Sequence, residues 1–97
     1  MKIQHKTGPT QTAFFLEIEW VVEGNAFQWL VKQVRGTEGV ERCELLGKSA
    51  GVLIIADKSQ SDRLSGLVNE AKILGEEDLR HVRNAISRVE QALRETR

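Results

Sequence analysis

The sequence predicts an α+β domain, an antiparallel sheet covered on one face by helices, and three observations predict it. Within AFFLEIEWVV at 13–22 and the Glu23 that follows, Phe14, Leu16, Ile18, Trp20 and Val22 alternate with Phe15, Glu17, Glu19, Val21 and Glu23. That period of two marks a strand with one dry and one wet face. VERCELL at 40–46 and VLIIA at 52–56 are strand-like, and the connector GKSAG between them holds two glycines suited to a hairpin. Between and after these strands, apolar residues recur at helical rather than strand spacing.

Taken in order, residues 1–12 are polar, contain the single proline, Pro9, after Gly8, and read as an N-terminal arm. KIQHKT alternates too weakly to be assigned as an edge strand. After the 13–22 strand, Gly24-Asn25 turns the chain, and Asn25 with Gln28 has the spacing of a reciprocal helix cap. The first helix is expected over 26–35, with Phe27, Leu30, Val31 and Val34 inward and Gly36 as a left-handed stop. VERCELL carries three charges and suits a sheet edge, whereas VLIIA is apolar on both faces and suits the interior. Ser59 and Asp62 have capping-box spacing ahead of a helix over 60–74, with Leu64, Leu67, Val68, Ala71 and Leu74 inward and Gly75 ending it. Three carboxylates, Glu76, Glu77 and Asp78, then open a last helix over 77–96, which closes on Arg94 and Arg97.

The strand-helix-strand-strand-helix order of residues 13–75 resembles most of the ferredoxin-like superfold, in which two helices cover one face of an antiparallel sheet. Residues 76–97 depart from it, because a helical pattern stands where a fourth strand is expected. The likeness is one of topology and implies a fold rather than a function.

Composition narrows the function classes. A chain of 97 residues is expected to form one domain, of a size that hides only about 60–65% of its surface on folding and often gains stability by dimerising. Fourteen basic and fourteen acidic residues leave no net charge to steer a nucleic acid or a membrane. The apolar uncharged run SAGVLIIA at 49–56 falls short of the roughly 20 apolar residues that span a bilayer. The N-terminus lacks the apolar middle of a signal peptide, and the lone Cys43 can form no internal disulfide, so a cytoplasmic location is expected. No cysteine or histidine pair has metal-binding spacing, His5 and His81 are isolated, and no cofactor motif is present. Gly47-Lys48-Ser49 lacks the earlier glycine of a phosphate loop and reads as the hairpin turn. Lys58, Ser59 and Ser61 precede a helix and could hold an anion, but capping accounts for the serines.

Three features could carry function. Leu79, Val82, Ile86, Val89 and Leu93 form a three-four seam on the last helix, flanked by Ala85 and Ala92, which suits packing on another helix. In an antiparallel pair of copies, Arg83 would lie near Glu90 of the other chain. The competing reading is that this helix folds back on its own domain. Trp29 falls opposite the inner face of its helix, with Lys32 and Gln33, and is either covered by the arm or the last helix or serves as an interface anchor. Glu17 and Glu19 on the wet strand face could be the polar groups of a pocket, or a general base, in a sheet-to-sheet dimer of the kind ferredoxin-like domains form. The first expectation is a homodimeric binding or regulatory module without catalytic activity. The alternatives are a cofactor-independent enzyme or small-ligand carrier and an accessory subunit docking on a larger protein through Trp29.

Overall fold

The computed structural model describes residues 1–47 and 50–95. Its strands are β1 (Lys2–Thr7), β2 (Gln11–Glu17), β3 (Val40–Leu46) and β4 (Gly51–Asp57), and its long helices are α1 (Gly24–Arg35) and α2 (Ser61–Glu95). The strands form one sheet in the order β1-β2-β4-β3, with every neighbouring pair antiparallel. This is an α+β fold. As the residue types anticipate, VLIIA lies inside the sheet and VERCELL at its edge.

Phe14 and Leu16 of β2 and Val52, Ile54 and Ala56 of β4 share one core with Phe27, Leu30, Val31 and Val34 of α1 and Leu64, Val68 and Ala71 of α2. Both helices therefore pack on the same sheet face. The other face is uncovered, and Ala13, Phe15, Leu53 and Ile55 at its centre remain partly accessible.

Several expectations are corrected. The first residues are a strand, not an arm: Gly8 N–H donates to Gln11 O at 2.8 Å in the turn, and His5 and Thr7 sit opposite Phe14 and Thr12. Its inward residues are held by ring stacking of His5 on Phe14, with centroids 4.0 Å apart, and by a 2.7 Å contact between His5 Nε2 and Thr12 Oγ1. Neither interaction leaves an apolar alternation in the sequence. The strand that completes the sheet thus precedes the β-α-β-β-α unit, and the order is not plainly the ferredoxin-like one.

The organising strand also stops at Glu17, although its alternation continues to Val22. Glu23 accounts for the break, since its Oε1 accepts the N–H groups of Glu19 at 3.2 Å and Trp20 at 2.9 Å. A local side chain thereby satisfies donors that a sheet ladder would otherwise take. A short 3₁₀ turn, Val21–Glu23, leads directly into α1, so Asn25 lies inside the helix rather than at its cap. At the other end Gly36 keeps a negative φ of −87°, and Thr37 closes the helix with its Oγ1 on Gln33 O at 2.9 Å.

The expected cap at Ser59 is replaced by Asp57, whose carboxylate accepts the Ser59 N–H at 2.9 Å ahead of a 3₁₀ turn, Lys58–Gln60. That hydrogen bond holds the Asp57 carboxyl below its ordinary pKa. Finally, Gly75 does not end a helix. The two expected helices are one 35-residue helix, and Gly75 is buried within it. A Cβ at this position would stand in van der Waals contact with Glu23, 3.4 Å from Oε2 and 3.5 Å from Cγ, so Glu23 packs directly on the helix here and the glycine makes no change of direction. Lys48 and Ser49 of the expected hairpin turn lie outside the described residues; the flanking Gly47 has the positive φ of 57° that favours glycine.

Candidate functional site

One face of α2 reads Leu64, Val68, Ala71, Gly75, Leu79, Val82, Ile86, Val89, Leu93. Its first four residues are buried against the sheet and α1. Leu79 is half-buried, and every residue from Arg80 to Glu95 is exposed. At 1.5 Å per residue a helix of this length runs about 52 Å, which accounts for a molecule 64 Å long and only 24 by 21 Å across. The distal half of α2 does not fold back on its own domain. Val82, Ile86 and Val89 are 41%, 53% and 61% exposed, while Arg80, Asn84, Ser87, Arg88 and Gln91 occupy the rest of the circumference.

Where the helix leaves the body there is a notch of about 330 Å³, lined by Met1, Glu19, Trp20, Glu23, Lys72, Glu76, Leu79 and Arg83. Its floor is an ion pair between Glu23 Oε2 and the N-terminal ammonium, 2.7 Å apart, with both side chains buried. Trp20, expected on the dry strand face, instead stands at the rim and is 55% exposed. Trp29, expected to point outward, is half-buried and packs against the core cluster. The more exposed tryptophan is thus Trp20. The strand that would place it inside ends at Glu17 while the apolar alternation runs on to Val22, and Glu23, the residue responsible, reads in sequence as one more wet-face carboxylate.

Glu17 and Glu19 are not brought into one site. Glu17 ends β2 beside a shallow depression lined also by Phe15, Leu46 and Gly51, whereas Glu19 lines the notch, its Oε2 3.9 Å from the N-terminal ammonium.

A larger cleft, about 480 Å³, opens between α1 and the β3 edge. Phe27, Val31, Ile18 and Leu45 give it an apolar wall, and Lys32 and Arg35 stand on its border. Arg35 also faces Cys43. Burial raises the Cys43 thiol above its ordinary pKa, and the charge and hydrogen bonding of Arg35 oppose that rise, so this is no activated nucleophile. His5, Thr7, Thr12 and Ser61 meet near the start of α2. Their hydrogen bonds satisfy one another, and the ring sits on Phe14, which is a way of fastening β1 to the fold.

Among the described residues, no group of three or more His, Cys, Asp or Glu is placed to hold a metal ion, and no helix is long and apolar enough to cross a membrane. Compared with known protein families, curated proteins and solved structures, the chain shows no significant match.

Proposed function

We propose that this protein is a small cytoplasmic binding or regulatory module, non-catalytic, that works as a homodimer joined through the distal half of α2. The observation that carries this reading is the apolar stripe Val82, Ile86 and Val89, held clear of its own domain on a continuous helix. An isolated helix in water gains nothing from such a stripe, whereas burying it against another helix removes apolar surface at about 25 cal/mol per Å². The core below it is complete without the distal half. On this reading residues 11–75 are a ferredoxin-like unit, with β1 supplying the fourth strand from the N-terminal side, and α2 is its assembly arm.

The test is the solution mass by light scattering of the full chain and of Ile86→Lys. A dimer for the first and a folded monomer for the second is the expected result. A monomer for the unmodified chain at its highest soluble concentration would refute the proposal.

The cleft beside α1 favours a second reading, a small-ligand carrier. Its apolar wall with Lys32 and Arg35 at the border suits a small amphiphile bearing one carboxylate. Titration with decanoate, monitored by calorimetry, should show saturable binding that Arg35→Gln weakens; binding indifferent to that change would remove this reading. Trp29 is a weaker docking anchor for a larger protein than Trp20, because its ring is engaged in the fold.

A further inference from the structure

We infer, on the basis of the self-association reading, that two copies of α2 pair antiparallel in one register, with Ile86 opposite Val89 of the second copy and Arg83 beside its Glu90.

The argument starts from the positions that flank the seam. With Leu79, Ile86 and Leu93 as one set of core positions and Val82 and Val89 as the other, one flank carries Asp78, Ala85 and Ala92 and the other carries Glu76, Arg83 and Glu90. In an antiparallel pair each flank meets its own counterpart, so the charged flank faces the charged flank and the alanine flank faces the alanine flank. In a parallel pair in register Arg83 would face Asp78 and Glu90 would face Ala85, but the two Gly75 positions, each packed by its own Glu23, would be brought together. The antiparallel direction uses the alternation of sign and keeps the two Gly75 contacts apart.

That alternation also chooses the register. Setting Ile86 opposite Val89 brings Val82 opposite Leu93, Arg83 beside Glu90 and Ala85 beside Ala92, each contact occurring twice by symmetry. Sliding one helix a heptad inward sets Arg83 against Arg83 and Glu76 against Glu90. It also drives Leu93 of the second copy toward Gly75, a position already occupied by Glu23. Sliding a heptad outward sets Glu90 against Glu90. Only the proposed register has opposite charges on the flank, and like charges across an interface cost more than the opposite pairs contribute.

The body of the domain agrees with this placement. Trp20, Leu79, Arg83 and Glu76 line one notch, on the charged flank of the seam. In the proposed register Leu93 of the second copy arrives beside it. The half-exposed indole at the rim then gains a partner, and the interface extends beyond the helices to the 3₁₀ turn before α1.

The experiment is a charge exchange in the full chain. Arg83→Glu and Glu90→Arg are made separately at exposed positions, and their association is compared with that of the unmodified chain by sedimentation velocity. Each variant alone carries two repulsive pairs and should associate about tenfold or more weakly. In an equimolar mixture, one chain of each variant meets the other with opposite charges at both contacts. The mixture should therefore recover association close to that of the unmodified chain, as a heterodimer. Circular dichroism checks that both variants retain their helix. A dimer whose affinity ignores either exchange, or a mixture no tighter than its components, would overturn the register while leaving self-association standing. A monomeric unmodified chain would overturn both.

Discussion

The two halves of α2 carry the same apolar pattern and meet different surroundings. In the half that begins at Ser61, Leu64 and Ala71 are fully buried and Val68 nearly so; in the half beyond Leu79, Val82, Ile86 and Val89 continue the same face into solvent. The boundary is not a break in the helix but the edge of what lies under it, the 3₁₀ turn with Glu23 packed on Gly75. A three-four pattern specifies that a helix has a dry side and leaves open what dries it. The proximal half answers within the chain, and the distal half requires an answer from outside it.

The comparison breaks most directly if the same kind of truncation is made in each half. Leu64→Ala removes a fully buried side chain from the junction of α2, α1 and the sheet and should lower stability by about 3 kcal/mol. Ile86→Ala removes a side chain already 53% exposed, and at a protein concentration too low for association should change stability by less than about 0.5 kcal/mol. Urea denaturation of both variants at low and high protein concentration separates the two. If Ile86→Ala costs as much as Leu64→Ala in the dilute sample, the distal half is packed within its own chain and the contrast between the halves is wrong.

Legibility in the sequence followed the kind of signal each element uses. α1 was readable because burial dictated its period, β4 because it is apolar throughout and β3 because it is strand-like and joined to β4 by a glycine-bearing connector, and VERCELL and VLIIA even revealed edge from interior through their charges. β1 was not, because beyond the single apolar Ile3 it is fastened by one imidazole on one phenyl ring and by hydroxyls, which no hydropathy period reports. The end of β2 was misplaced for a related reason: Glu23 acts through hydrogen bonds to backbone N–H groups close behind it, and its burial contradicts its residue type. The seam on α2 was legible in full as a pattern. The continuity of α2 through Gly75 was not, since a glycine after Leu74 has the same appearance whether it ends a helix or lies inside one against a neighbour. Of the candidate site residues, those on the seam are brought together on one face, while Glu17, Glu19 and Trp29 are scattered to different surroundings.

That last ambiguity supplies the smallest and most discriminating expectation, because α2 holds a second interior glycine. Gly66 is exposed, and a Cβ there would meet nothing within 4 Å. Gly66→Ala should therefore realise most of the helix-propensity difference, a stabilisation of about 0.5–1 kcal/mol. At Gly75 the same methyl group would gain the same propensity but would lie 3.4 Å from a carboxylate oxygen of Glu23. That oxygen is the one paired with the N-terminal ammonium, so the added methyl would sit in van der Waals contact with a buried ion pair, and the net stabilisation should be smaller than at Gly66. The midpoints of urea denaturation for the two variants, measured side by side, read the difference. Equal stabilisation at both positions would mean that Glu23 yields without cost and that Gly75 is an incidental glycine; a larger gain at Gly66 would identify the contact with Glu23 as the place where the domain's hold on α2 ends and its free face begins.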